Sequence, residues 1–216
     1  MTQPVVKRTY DVVFAALGLL ILSPLLLLIA IVVKLSDGGP VFFLQRRIGQ
    51  HGRPFWIWKF RTMVVGADKH GLSVTKAGDR RVTAVGRILR TTKLDELPQL
   101  WNVLHGEMSL VGPRPEVPGY VERYTPEQRQ VLNLKPGMTD LASLEFRREE
   151  ELLRNVADTE RFYLEYCLPK KIELNLDYNR CANLWHDTRI ILLSLIPLGS
   201  RKIAMGKGHE LKQELS

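Results

Sequence analysis

The densest run of chemically capable side chains is Arg87-Ile-Leu-Arg90-Thr-Thr-Lys93-Leu-Asp95-Glu96-Leu-Pro98-Gln99-Leu100. Two adjacent carboxylates among three cations form an anion-facing surface that also suits a divalent metal. A helix starting at or just before Pro98 would place Asp95 and Glu96 at its positive end. The dipole there favours the ionised carboxylate, which is the state a carboxylate nucleophile requires. The competing reading is structural: Asp95 is an N-cap and Glu96 belongs to a solvated face.

Val111-Gly-Pro113-Arg114-Pro115 is the second unusual segment. Two prolines fix the backbone around one arginine and pre-organise its guanidinium fork for a phosphate. A purely structural arginine in a proline loop fits the same residues. Lys59-Phe60-Arg61 places two cations on one side of an extended segment. The aromatics beside them suit packing against a core or an interface better than base stacking. His51, His70, His105, His186 and His209 show no ligand spacing, and there is no phosphate-binding glycine loop or dinucleotide fingerprint.

These groups need elements to position them, and the first is apolar. Residues 12 to 33 carry no charge. As a helix they would extend about 33 Å, enough for a hydrocarbon core of about 30 Å. A cleaved signal peptide has a shorter apolar region, typically about 7 to 15 residues, and a small-residue cleavage site. Ser23-Pro24 sits at the midpoint. Proline removes a backbone bond and clashes with the carbonyl four residues earlier, and the serine hydroxyl can satisfy the carbonyl it frees. A sharp kink is expected there. Lys7 and Arg8 precede the segment, and Lys34, Arg46 and Arg47 follow it. Cations favour the cytoplasmic side, so symmetric flanks suit a hairpin that enters and leaves by one face. A proline-kinked span is the simpler reading of the segment taken alone.

Asp37-Gly-Gly-Pro40 ends the apolar element as a turn. Val41-Phe-Phe and Phe55 to Phe60 read as short strands separated by a turn. Residues 66 to 81 read as a loop, and apolar residues recur at helical spacing from Val85 to Leu104. Thr125-Pro126-Glu-Gln128 is a helix start with a capping box. Lys135-Pro136-Gly137 reads as a tight turn in which glycine supplies a positive φ. Residues 148 to 181 are helical by pattern with an interruption near Leu168-Pro169. Trp185 to Leu198 suits a helix lying at an interface, and the last sixteen residues read as a polar tail.

Composition restricts the partners. The 216 residues carry a net charge of +8 with 45% hydrophobic and 25% charged residues. This fits one domain with an anionic partner. The basic residues form no contiguous run and the apolar segment would be unexplained in a nucleic-acid binder, so nucleic acid is excluded. Cys167 and Cys181 lack a metal spacing and fit a reducing compartment.

Taken together, the chain resembles the bacterial sugar transferase family, the monotopic polyprenyl-phosphate phosphoglycosyl transferases, over about residues 7 to 197. The blocks that carry the resemblance are Lys7-Arg8 with Asp11, Ser23-Pro24, Gln45-Arg46-Arg47-Ile-Gly49, Lys59 to Met63, Leu89-Arg90, Leu94 to Leu104, Gly106 to Pro115, Lys135-Pro-Gly137 and Leu176-Asp177-Tyr178. The resemblance implies that Asp95 and Glu96 are catalytic and hold Mg²⁺. It implies that Arg90 holds phosphate, that Arg114 lies near the nucleotide diphosphate, and that Lys59, Arg147 and Asp177 belong to the same substrate- or phosphate-binding set. The implied fold is α+β and mostly helical, with a re-entrant helix-break-helix hairpin (1–36) in one leaflet of the lipid bilayer. A catalytic domain (37–200) with interfacial helices and a few short strands follows, then a tail (201–216).

The implied reaction moves a sugar 1-phosphate from a UDP-sugar to polyprenyl (undecaprenyl) phosphate at the cytoplasmic face of the bacterial inner membrane. It passes through an aspartyl phosphosugar and releases UMP. Self-association into a homo-oligomer is left open. One block departs from the pattern. After the Pro-Gly turn the family usually shows Thr-Gly, an aromatic and a glutamine, then Asn-Gly-Arg; this chain has Thr139-Asp140-Leu-Ala-Ser143-Leu-Glu145-Phe146-Arg147, which retains only the arginine of Asn-Gly-Arg. The alternatives to the transferase are a membrane-anchored binding or scaffold protein without turnover, and a lipid-phosphate hydrolase.

Overall fold

A computed structural model describes residues 4–67, 78–153 and 156–196. The expected polar tail and most of the 66–81 loop lie outside the described residues. The fold is mostly helical. Helix α1 (Pro4–Asp37) leads into a hairpin of strands β1 (Phe42–Ile48) and β2 (Pro54–Phe60), followed by α2 (Ala84–Thr92), a 3₁₀ turn (Leu94–Glu96) and α3 (Gln99–His105). Then come β3 (Ser109–Val111), α4 (Pro118–Val121), a further 3₁₀ segment (Gln128–Asn133), β4 (Gly137–Thr139), α5 (Leu141–Glu145) and α6 (Glu149–Leu152). Helices α7 (Thr159–Phe162), α8 (Leu168–Cys181) and α9 (Leu184–Leu195) complete the order.

Helix α1 is continuous through Pro24, where two half-helices were expected. The local chemistry explains the continuity. Proline deletes only the bond to the Leu20 carbonyl, and Ser23 Oγ donates to that carbonyl at 2.8 Å, so the freed acceptor keeps a partner. Both ends of α1 are fastened to the rest of the chain. At the N-terminal end, Arg8 donates to the Val103 and Leu104 carbonyls at 2.6 and 2.8 Å, closing the C-terminus of α3. Asp11 Oδ1 accepts from the Leu110 amide at 3.1 Å, and Lys7 pairs with buried Asp187 of α9 at 2.5 Å. At the C-terminal end, Ile29 and Val33 are buried with Phe60 and Leu89, and Asp37 takes both terminal nitrogens of Arg61. The middle is bare: Leu20 and Ile21 are each 71% exposed.

The β1–β2 hairpin divides by register. Phe42↔Phe60, Leu44↔Trp58 and Arg46↔Trp56 share one face, and Phe43↔Lys59, Gln45↔Ile57 and Arg47↔Phe55 share the other. The second face buries Phe55 and Ile57 in a core with Ala15, Leu100, Val103, Met108 and Ile190. The hairpin is stitched to α3 by fully buried Asn102. Its Nδ2 donates to the Trp56 carbonyl at 2.7 Å and its Oδ1 accepts from the Trp58 amide at 3.1 Å.

Three local expectations are corrected. The capping box between Thr125 and Gln128 forms, with bonds of 3.0 and 3.3 Å, but it starts a 3₁₀ segment and not an α-helix. Gly137 has no positive φ; it is needed because β4 runs parallel to β3 and a Cβ there would strike the backbone of Gly112. The interruption near Pro169 is a π turn (Tyr163–Cys167) between α7 and α8, which absorbs the proline without ending the helix. Around it lies a second core, with Tyr120, Phe146, Leu153, Phe162 and Ile172 among its members.

Candidate active site

Asp95 and Glu96 are placed by a tight turn between two helices. Lys93 adopts a left-handed conformation (φ 60°), caps α2 and opens the 3₁₀ turn that carries the pair. A non-glycine residue in that region is strained, and such strain concentrates at functional positions. Helix α2 is pressed against the end of β2, because a Cβ at Gly86 would overlap the Thr62 carbonyl. Helix α3 starts at Gln99 with Pro98 before it. The reading of Asp95 as the N-cap of this helix is therefore corrected: Asp95 lies inside the preceding turn and caps nothing. It is buried, and its Oδ1 has no hydrogen-bond partner.

Glu96 is the hub. Its Oε1 accepts from Lys59 Nζ at 3.1 Å. Arg114 grips it with both terminal nitrogens, Nη1 to Oε2 at 3.1 Å and Nη2 to Oε1. Lys59, Glu96 and Arg114 thus come from β2, the 3₁₀ turn and the proline loop to one point. Burial opposes ionisation of Glu96, but Arg114 and Lys59 outweigh it and hold the carboxyl well below its usual range. The neighbouring carboxyl behaves oppositely. Burial first, then the charge of Glu96, raise Asp95 to about 6. The shift is opposite in direction to the one expected from a helix dipole. Burial also lowers Lys59 to about 8, against the attraction of Glu96. Adjacent carboxyls with divergent proton affinities characterise sites of acid–base or nucleophilic chemistry.

The pair lines a cavity of about 1760 Å³. Lys59, Arg90, Asp95, Glu96 and Arg114 contribute its polar wall, while Phe14, Gly18 and Leu22 of α1 and Ile191 and Leu195 of α9 contribute apolar surface. Arg147 also reaches the cavity, but its guanidinium donates to the Leu193 and Ile196 carbonyls and closes the end of α9. Asp177 is not brought to the cavity; its exposed carboxylate pairs with Arg180 at 3.0 Å. Ser23 and Pro24 remain on α1, away from the charged cluster. Arg61, read with Lys59 as a pair, instead fastens the end of α1.

Among the described residues, no three His, Cys, Asp or Glu side chains cluster as a metal site. The carboxylate pair nevertheless fits Mg²⁺, which typically takes one or two carboxylates and completes its shell with water and substrate phosphate. Asp95 Oδ1 is a ligand atom with no competing bond, and Glu96 Oε2, which accepts one bond from Arg114, keeps a second lone pair for a metal.

Several residues escaped sequence reading. Arg47, read as a flanking cation, faces the cavity from β1, accompanies Gln45 at 2.6 Å and donates to the Pro115 carbonyl at 3.0 Å. Glu116 accepts from Tyr163 and lies 3.7 Å from Arg47, bracing the same loop. Gln99 is buried with its Nε2 unpartnered, one turn beyond Asp95. Gln45 and Arg47 lay in a block that carried the family resemblance, but their place beside Lys59 follows from the hairpin register and not from either strand alone.

The family follows from a match over residues 2–199 to the model described as Bacterial sugar transferase. The chain belongs to the bacterial sugar transferase family. It is similar to the UDP-glucose:undecaprenyl-phosphate glucose-1-phosphate transferases of Escherichia coli (strain K12), with 40% identity over 197 residues and 88% of this chain, and of Caulobacter vibrioides, with 42% identity over 189 residues and 86% of this chain. A third relative is the UDP-N-acetylgalactosamine-undecaprenyl-phosphate N-acetylgalactosaminephosphotransferase of Aeromonas hydrophila, 36% identical over 195 residues and 88% of this chain. The chain spans 39% of the E. coli relative, 67% of the C. vibrioides relative and 43% of the A. hydrophila relative.

Proposed function

We propose that this chain transfers a sugar 1-phosphate from a UDP-sugar to polyprenyl phosphate, giving polyprenyl-diphosphate-sugar and UMP. The observation that carries the reading is one cavity with two chemistries. A cation-rich wall around Asp95 and Glu96 suits a nucleotide diphosphate, and the apolar surface of α1 and α9 suits a lipid acceptor. The relatives' names supply the reactant classes, a UDP-sugar and undecaprenyl phosphate, and they differ in the sugar.

In the proposed reaction the Asp95 carboxylate attacks the phosphorus that bears the sugar. UMP leaves with the electrons of the broken P–O bond, and an aspartyl phosphosugar remains. An oxygen of polyprenyl phosphate then attacks the same phosphorus and Asp95 departs as a carboxylate. Asp95 and Glu96 would hold Mg²⁺, which when bound neutralises charge on the donor diphosphate. Arg114 and Arg90 bind phosphate oxygens from the cavity wall, and Lys59 keeps Glu96 ionised and oriented. Arg147 holds the rim at α9.

The placement proposed is the cytoplasmic face of the inner membrane, with both ends of α1 on that face and its bare middle, around Leu20 and Ile21, in one leaflet. Supporting it, Lys7, Arg8 and Asp11 at one end and Val33 and Asp37 at the other are all bound to the same domain. A span would carry one end across about 30 Å of hydrocarbon and drag charged elements with it.

The test is UMP release from UDP-sugars with and without polyprenyl phosphate, with mass spectrometry of the enzyme and donor alone. Release that depends on acceptor, and a sugar-phosphate adduct on the Asp95 peptide, are expected. Sustained UMP release without acceptor would indicate a hydrolase, and no release with any donor would indicate a binding protein.

A further inference from the structure

The loop that carries Arg114 has few backbone donors. Pro113 and Pro115 have no N–H, so between Gly112 and Glu116 only the Arg114 amide can be tied down as a donor. It donates to Asp140 Oδ2 at 3.2 Å. The same oxygen accepts from Asn175 Nδ2 of α8 at 2.8 Å. Asp140 Oδ1 accepts from the Ser143 amide at 2.5 Å and caps α5. Asn175 is itself fixed, because its Nδ2 also donates to the Lys171 carbonyl at 2.9 Å. Asp140 is 1% exposed, and a carboxylate so buried is tolerated only with its oxygens bonded.

We propose that Asp140 is a positioning residue for the donor: it locks the Arg114 backbone to α5 and α8 and so sets where the guanidinium meets Glu96 and a nucleotide diphosphate. This rests on the reading of Arg114 as a diphosphate ligand. A residue without a side-chain acceptor at this position would leave the Arg114 amide, the Ser143 amide and Asn175 Nδ2 without this shared partner. The loop is held from behind by Asp140. Arg47 completes the clamp from the front by donating to the Pro115 carbonyl. With the backbone held on both sides, the guanidinium starts from a fixed root and loses less freedom when it binds.

A residue that only stabilised α5 would give a different result. Asp140→Asn keeps an oxygen to cap Ser143, since asparagine caps as well as aspartate, but turns an amide group toward two donors. The expected result is about a tenfold rise in the KM for UDP-sugar, with kcat and the KM for polyprenyl phosphate little changed. In an Arg114→Ala background the same substitution should add nothing to the donor KM, because its effect acts through Arg114. An unchanged donor KM in a folded variant, or an effect that simply adds to that of Arg114→Ala, overturns the proposal. If Asp140→Asn does not fold, Asn175→Ala removes the brace and keeps the cap; a smaller rise in the same constant is expected, and no rise overturns the proposal. Calorimetric titration with UDP separates this from the reaction itself. A wild-type protein that binds UDP but releases no UMP refutes the transferase reading, and the variants then test Asp140 through Kd. A wild-type protein that does not bind UDP refutes both.

Discussion

Replacing Asp95 with asparagine should raise stability and abolish turnover at once. The reasoning starts from burial. Desolvation and the adjacent Glu96 charge lift Asp95 from 3.8 to about 6, so between these values the folded protein binds more protons than the unfolded chain. Stability therefore falls as pH rises through that window. A shift of about two units corresponds to about 3 kcal/mol lost once the group is fully ionised. The amide carries no charge and escapes this cost, although its own unpaired burial takes back about 1 to 2 kcal/mol. A net gain of about 1 to 2 kcal/mol would raise Tm by several degrees, at roughly 2 to 4 °C per kcal/mol for a chain of this size. Melting in detergent with chelator, at pH 7.5 and again at pH 4, is the assay. Asp95→Asn should melt higher at pH 7.5, and the difference should shrink toward pH 4, where the aspartic acid is neutral. Turnover should drop by orders of magnitude, on the scale of about 10⁶ seen for lost nucleophiles. A clear fall in Tm at pH 7.5 would refute the claim that Asp95 caps and pairs with nothing. Near-native turnover in the folded variant would refute the nucleophile.

Other substitutions probe the supports. Arg114→Lys keeps the charge but cannot reproduce the two-nitrogen grip on Glu96, so UMP release should fall at least about tenfold; equal activity would leave Arg114 as a loop residue. Pro24→Ala restores the amide that Leu20 lacks and should draw α1 toward a span. Labelling of a cysteine at position 3 should then reach the periplasmic face in the variant and not in the parent, and periplasmic labelling of the parent would refute the one-sided placement. Gly137→Ala forces a methyl into Gly112 across β3 and β4, so it should cost several kcal/mol or prevent folding; a native Tm would show that these strands separate freely.

Much of the apparatus was legible in the sequence because it is local. An uncharged run of 22 residues makes an apolar helix in any context, and the serine before Pro24 was correctly assigned to the freed carbonyl. The two strands, the capping box at Thr125 and the carboxylate pair were also written in short-range pattern. What sequence order does not contain is which distant groups meet. Lys59, Glu96 and Arg114 are 37 and 18 residues apart along the chain in successive steps, and only the packing of β2, α2 and the proline loop makes Glu96 their shared partner. Burial is likewise a property of the whole molecule. It raises Asp95 above the ordinary carboxylate range, through desolvation beside a second carboxylate, where a helix end had been expected to lower it. The same is true of Gly137, whose need for hydrogen at Cα arises from a parallel neighbour 25 residues away, and of Asp140, which looked like a departure from pattern and became an anchor only when α8 and the Arg114 loop closed around it.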